Sequence, residues 1–177
     1  LSGDVRVTNA ARVLSAKSTS GDVEISGLRS DIGLEANAVS GAVRLRDSSA
    51  PRALLGSVSG DIVVTNVQSG RIAAETMSGN VTFTTPLEKN GRYELSSHSG
   101  VIRVVPTGNT GFEVDADSFS GTIRSEIALK DERQGAADTD RRGRGGRIRS
   151  LRGIFGDGSA ILDITTFSGT VVIGQSR

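Results

Sequence analysis

The sequence predicts an all-β fold, a parallel β-helix or β-solenoid of about eight coils, and three observations lead to this prediction. The first is a Ser-Gly dipeptide that recurs at steps of 18 to 21 residues, followed by one step of 48. Its glycines are Gly3, Gly21, Gly41, Gly60, Gly79, Gly100, Gly121 and Gly169. The second is an alternation of apolar residues around each dipeptide, and the third is a composition with 23 glycines and only 3% aromatic residues. A fixed period near 20 residues is typical of solenoids, in which each repeat forms one coil.

Each coil is predicted to contain two strands, one before and one after its Ser-Gly dipeptide. When positions are numbered from the motif glycine, positions +2 and +4 are apolar in every coil except at Ser125. This is the alternation of a half-buried strand. Upstream, positions −7 and −5 are always apolar, for example at Leu34 and Ala36, and position −3 is always small. Each coil therefore adds one strand to each of two or three parallel sheets, at a spacing of about 4.8 Å.

A corner is predicted at the Ser-Gly dipeptide itself. Position −2 is occupied by Thr19, Val39, Val58, Met77, His98, Phe119 and Phe167. We expect this column to point inward beside position −3, because the alternation must slip by one residue before position +2. Glycine suits such a corner through positive φ or close backbone approach. On this reading His98, the only histidine, is a core or corner residue.

One long insertion, at residues 126–161, accounts for the step of 48 residues. The other coils vary in length only between position +4 and the next position −7, so we expect insertions to emerge on one side of the solenoid. The insertion contains Arg141, Arg142, Arg144, Arg147, Arg149 and Arg152, with no acidic residue between the first and the last. One interpretation is an anion-binding arm, and the alternative is a solvated loop. A protruding hairpin, with Ile127 and Leu129 facing Ile148 and Leu151, is the expected shape.

The composition limits the classes of function. A chain of 177 residues forms one domain, here 1–177, and the absence of cysteine excludes a disulfide framework. A net charge of +1 argues against a globally basic or acidic partner surface. No apolar run reaches the roughly 18 residues of a membrane helix. The chain begins at Leu1 within a repeat, so we expect a fragment or a processed form without its targeting signal.

Two groups of acidic residues suggest chemistry, but both have simpler explanations. Asp4, Asp22 and Asp61 follow Ser-Gly, yet calcium-binding β-rolls need a denser repeat, so we interpret these residues as turn and ladder residues. Glu94 and Asp115 share position −6, and direct stacking of their coils would place them about 5 Å apart, as in retaining glycosidases. Exposed charges on a sheet face are common, and aromatic platforms for sugars are lacking. We therefore assign no catalytic, cofactor-binding or metal-binding residue.

The repeat and the end of the chain resemble a known family. The [ST]-x-S-G-x-apolar-x-apolar repeat, closed by Gly156-Asp157-Gly158 and Thr166-Phe167-Ser168-Gly169, resembles the bacterial adhesin-like domains built as β-solenoids. The resemblance covers nearly the whole chain. It implies a bacterial protein of the cell envelope, periplasmic or secreted, with no established set of catalytic residues.

The sequence therefore favours a non-enzymatic structural or surface-interaction module. Its expected partner is an anionic surface (glycan or phospholipid headgroups), bound by the arginine-rich insertion, or another protein. Nucleic acid is disfavoured because no aromatic residue is interleaved with the arginines to stack on bases. Two alternatives remain open. One is a polysaccharide-acting enzyme that uses the acidic face, the outward side of the sheet around Glu94 and Asp115. The other is a scaffold that self-associates through the open ends of the solenoid.

Overall fold

A computed structural model describes residues 3–12, 15–138 and 147–174, and these residues form fifteen β-strands and no helix. The strands are β1 (Val5–Thr8), β2 (Ser15–Ser20), β3 (Val23–Ser26), β4 (Leu34–Ser40), β5 (Val43–Arg46), β6 (Arg52–Ser59), β7 (Ile62–Thr65), β8 (Arg71–Ser78), β9 (Val81–Pro86), β10 (Arg92–Thr107), β11 (Phe112–Ser118), β12 (Thr122–Ser125), β13 (Lys130–Asp138), β14 (Arg147–Phe155) and β15 (Ala160–Ile173). The all-β solenoid prediction is confirmed.

Two parallel ladders of strands meet at the Ser-Gly corners. The first face contains β2, β4, β6, β8, β11 and the first halves of β10 and β15, all of which precede a corner. The second face contains β1, β3, β5, β7, β9, β12 and the second halves of β10 and β15. Equivalent positions pair in register, for example Val23 with Val43 and Val43 with Ile62. Isolated bridges that join Arg29, Ser49 and Gln68 mark a short third side.

The core is made of the inward columns predicted from the alternation. From the coil of Gly21 onward, the described residues at positions −7, −5, +2 and +4 are buried, except Ile123 and Ser125. The largest buried side chains include Phe83, Tyr93 and Phe112. The Tyr93 hydroxyl accepts a hydrogen bond from the Glu88 N–H at 2.8 Å and donates one to the Ser69 carbonyl at 2.9 Å. The thin coils are therefore filled by aliphatic residues stacked on similar ones.

The close approach of neighbouring coils explains why glycine follows serine at each corner. A Cβ atom on Gly60 would lie 2.1 Å from the carbonyl oxygen of Gly41, and one on Gly41 would lie 2.1 Å from that of Gly21. Four of the small hydroxyl residues at position −3 donate to the same row of glycine carbonyls, for instance Ser18 to Gly3 at 2.9 Å. The corner thus needs glycine for close approach between coils, which is one of the two reasons predicted.

The last coil does not lie at the end of the solenoid. If coils are numbered by their motif glycines in chain order, β15 of coil 8 pairs on one side with β10 of coil 6 and on the other with β11 and β12 of coil 7. The spatial order is therefore 1-2-3-4-5-6-8-7. Stacking of the coils in simple chain order, on which the 5 Å estimate for Glu94 and Asp115 depended, was wrong.

The insertion forms a hairpin that extends the first face. β13 and β14 pair with each other in the antiparallel sense, and β14 also pairs antiparallel with β11, so that Ala116 lies opposite Leu151. Ile127 and Leu151 are buried. The prediction of a hairpin is confirmed, but the prediction that it protrudes is wrong for the described strands. Its predicted register is also wrong, since Ile148 and Leu151 lie opposite Ala137 and Gln134 and not opposite Ile127 and Leu129. The edge of β11 offers unpaired backbone groups, and β14 satisfies them.

Candidate functional site

A row of apolar and aromatic side chains, all exposed except the half-buried Phe119, runs along the first face beside the corners. It consists of the residues at position −2, and we call Val39, Val58, Met77, His98, Phe167 and Phe119, in their spatial order, the apolar stripe. Val39, Val58, Met77 and Phe167 are 47%, 46%, 60% and 46% exposed. The prediction that this column points inward was wrong. The alternation continues through position −2, and the slip occurs in the Ser-Gly dipeptide itself, because those two residues form the turn.

A groove of about 840 Å³ lies between the apolar stripe and the column at position −4. The −4 wall is short and mostly polar, with Lys17, Asn37, Gly56, Glu75, Ser96 and Thr165. The residues at position −3 contribute to the floor. From coil 2 to coil 8 the groove crosses six adjacent coils, which corresponds to about 24 Å at the usual strand spacing.

Three stacked rings form one end of the stripe. Phe167 stacks on His98 with a centroid distance of 4.8 Å and an angle of 4° between planes, and it stacks on Phe119 at 4.8 Å and 10°. Both faces of the Phe167 ring are therefore covered by neighbouring rings. His98 lies at the corner as predicted, but it is exposed, and its ring extends the stack.

The charges along the groove are uneven. The Lys17 ammonium pairs with the Glu35 carboxylate at 2.8 Å, and this pairing lowers the pKa of Glu35 below its ordinary value. Asn37 also donates to Glu35, at 2.7 Å, through one hydrogen of its amide group. Glu75 is exposed and forms no ion pair within the described part of the chain. The middle of the groove thus has one unneutralised negative charge.

Glu94 and Asp115 do not form the carboxylate pair that direct stacking of their coils would give. Asp163 lies between Glu94 and Asp115 in register, so these two residues are separated by two strand spacings, about 9.6 Å. Arg92 bridges Glu94 and Asp163 at 2.9 Å each, and Arg152 pairs with Asp115 at 3.0 Å. The three carboxylates are therefore members of a ladder of ion pairs.

The aspartates after Ser-Gly connect neighbouring coils. The Asp4 carboxylate accepts the Asp22 N–H at 3.0 Å, and the Asp22 carboxylate accepts the Ala42 N–H at 2.8 Å. Asp22 also pairs with the Arg44 guanidinium, which together with the Ala42 N–H lowers the pKa of Asp22. Within the described residues, no group of three or more histidine, cysteine or acidic side chains is arranged to hold a metal ion.

The structure describes only part of the predicted arginine-rich arm. Arg141, Arg142 and Arg144 lie outside the described residues, and for Arg147 only the strand backbone is described. Arg149 is exposed and lies 3.5 Å from the Thr122 hydroxyl, beside Phe119 at the end of the stripe. Arg152 is held by Asp115. The described members therefore lie on a strand of the sheet, and one of them is already neutralised.

The apolar stripe is the feature that sequence reasoning missed. Its signal was present in the column itself, since Thr19 and His98 share a position with valine, methionine and phenylalanine. A column that tolerates hydroxyl and imidazole groups in a solenoid with so thin a core is better explained by exposure than by burial.

Comparison with known proteins identifies the family. The family model described as Toastrack DUF4097, a family of unknown function, matches residues 1–173. No curated protein and no solved structure gives a significant match. A search of the described residues finds no helix with the length and hydrophobicity needed to cross a membrane. With a solenoid-like β fold and a match over almost its entire length, the chain belongs to the Toastrack DUF4097 family.

Proposed function

We propose that this protein is a non-enzymatic interaction module that binds a partner protein in the groove beside the apolar stripe. The observation that carries the proposal is the continuous exposure of Val39, Val58, Met77 and Phe167 along one edge of the first face. Exposed apolar surface of this extent, bordered by polar residues, is typical of an interaction site, because its burial by a partner is favourable.

Two features weigh against a role in polysaccharide cleavage. The carboxylates of Glu94, Asp163 and Asp115 are engaged in ion pairs with Arg92 and Arg152, whereas a glycosidase needs one acid and one base or nucleophile that both face the substrate. Both ring faces of Phe167 are covered by His98 and Phe119, so Phe167 offers no free ring face for stacking on a sugar. Both features fit a binding module better than an enzyme.

The hairpin weighs against growth by end-to-end stacking. On the first face β14 occupies the outer edge of β11 in the antiparallel sense, and this ends the parallel repeat there. A location at the bacterial cell envelope or outside the cell remains part of the proposal, because the adhesin-like resemblance implies it. The groove, and not the arginine-rich insertion, is the proposed binding surface.

Selection from a displayed library of random twelve-residue peptides tests the proposal. We expect the wild-type protein to enrich peptides whose affinity falls about tenfold or more in the double variant Met77→Thr/Phe167→Thr, since apolar contact area is lost. Threonine already occupies this column at Thr19, so the variant is expected to fold.

The matched control is Val101→Thr, because Val101 is 38% exposed and threonine occupies the equivalent position in Thr122 and Thr170. This control should bind the enriched peptides as the wild type does. Absence of any enriched peptide, or equal binding by the double variant, would overturn the proposed function.

A further inference from the structure

We propose that the groove binds a proline-rich segment in the polyproline II conformation, with a basic residue opposite Glu75. The inference rests on the proposed function above and names the class of partner. Three independent properties of the groove lead to it: the spacing of its apolar side chains, the hydrogen-bond donors of its polar wall, and its single unneutralised charge.

The first property is the repeat distance of the apolar stripe. Successive members lie about one strand spacing apart, so alternate members such as Val39, Met77 and Phe167 are separated by about 9.6 Å. A polyproline II helix rises about 3.1 Å per residue with three residues per turn, which repeats every 9.3 Å or so. Residues i, i+3 and i+6 of such a helix can therefore contact every second coil. A β-strand repeats its side chains every 6.6 Å or so and loses register within two coils.

The second property is the supply of hydrogen-bond donors. The backbone of polyproline II makes no internal hydrogen bonds, so its carbonyl groups must be satisfied by water or by a partner. The hydroxyls of Ser96 and Thr165 line the groove and make no hydrogen bond to the described part of the chain. Asn37 donates only one of its two amide hydrogens, to Glu35. The polar wall thus presents donors to a ligand that has only acceptors to offer.

The third property is the charge of Glu75. It lines the middle of the groove next to Met77 and forms no ion pair with any described residue, whereas Lys17 at the groove's end is paired with Glu35. An arginine or lysine in the ligand would complement it. The length of the groove, about 24 Å, matches about eight residues of polyproline II.

Binding of one synthetic peptide, measured by fluorescence anisotropy, tests the inference. The probe is a blocked nine-residue peptide with eight prolines and a central arginine. Its counterpart has glycine at alternate prolines, which removes the preformed helix but keeps the arginine. We expect saturable binding of the probe and affinity about tenfold weaker for the counterpart, because the flexible chain must be ordered on binding.

Variants locate the contact. Met77→Thr/Phe167→Thr should weaken binding of the probe about tenfold, and Val101→Thr should leave it unchanged. Glu75→Gln should weaken binding about threefold and make it insensitive to salt, as expected when an exposed ion pair is lost. A probe that fails to bind, or binds no better than its glycine counterpart, would overturn the inference.

The two proposals can fail separately. In one outcome, the library enriches peptides whose binding depends on Met77 and Phe167 while the probe and its glycine counterpart bind equally. That result would support the proposed function and overturn the polyproline II ligand. If neither the library peptides nor the probe depend on these two residues, both proposals are removed.

Discussion

At the scale of single residues, the Ser-Gly corner determines both the core and the exposed stripe. The glycines allow coils to approach until carbonyl and Cα atoms of neighbouring corners are in contact, as the 2.1 Å distance between a Cβ on Gly60 and the Gly41 oxygen illustrates. Because the slip in alternation takes place within the dipeptide, position −3 stays inside and position −2 stays outside. The same small motif therefore explains the packing of the corner and the exposure of Met77.

Replacement of a corner glycine tests this explanation. Gly60→Ala should lower the free energy of unfolding by about 2–3 kcal/mol, because the new methyl group overlaps a backbone oxygen that cannot move away without shifting a coil. Urea-induced unfolding measures the effect.

The matched control is Gly70→Ala, whose Cβ would find its nearest neighbour at an ordinary 3.6 Å. It should be neutral or stabilise the protein by up to about 1 kcal/mol through the unfolded state. Equal effects of the two substitutions would contradict the steric explanation.

The sequence shows which positions of the repeat align between coils, but it does not always show whether an aligned position points into the core or to solvent. Positions −7, −5, +2 and +4 could be assigned to the core because strict alternation over a repeat leaves one choice of face. Position −2 could not, because the turn hides one residue of the alternation, and Val39 or Phe167 look equally suited to a core. Because of this error at one column, the sequence did not reveal the apolar stripe as a candidate binding surface.

At the scale of strands, the insertion of β15 between β10 and β11 is the main departure from chain order. Coil 7 and coil 8 have equivalent residues, such as Ser118 with Thr166 and Phe119 with Phe167, so either order buries the same kinds of side chains. No pattern within the sequence distinguishes them. In the observed order β11 pairs with β14 on one side and β15 on the other, and the hydroxyls of Ser118 and Thr166 are buried without hydrogen-bond partners.

Engineered cysteine pairs test the strand order, and the natural chain contains no cysteine that could interfere. Ser96→Cys/Thr165→Cys joins positions that pair directly between β10 and β15, so a disulfide should form under mild oxidation. Ser96→Cys/Asp117→Cys joins positions two strands apart, about 9.6 Å, and should stay reduced. Mass spectrometry of the oxidised proteins distinguishes the outcomes. The opposite pattern would show that the coils stack in the order of the chain.

At the scale of the whole molecule, the regular stacking of coils converts single exposed side chains into a continuous surface. One exposed valine is ordinary in any protein, but six equivalent positions about 4.8 Å apart form a groove with a defined period. The aromatic stack of His98, Phe167 and Phe119 lies at one end of the groove, and the ion pair of Lys17 with Glu35 lies at the other. The central claim is that this groove is the binding surface of the protein.

The chain's single methionine, Met77, provides the most direct test of that claim, because this residue is 60% exposed and lines the middle of the groove. Protein labelled with ¹³C at the methionine methyl gives one reporter resonance, which can be followed during titration with a peptide enriched by the wild-type protein. If the groove is the binding surface, this resonance should shift and saturate with the dissociation constant measured by calorimetry. Saturable binding by calorimetry that leaves the Met77 resonance unmoved would contradict it.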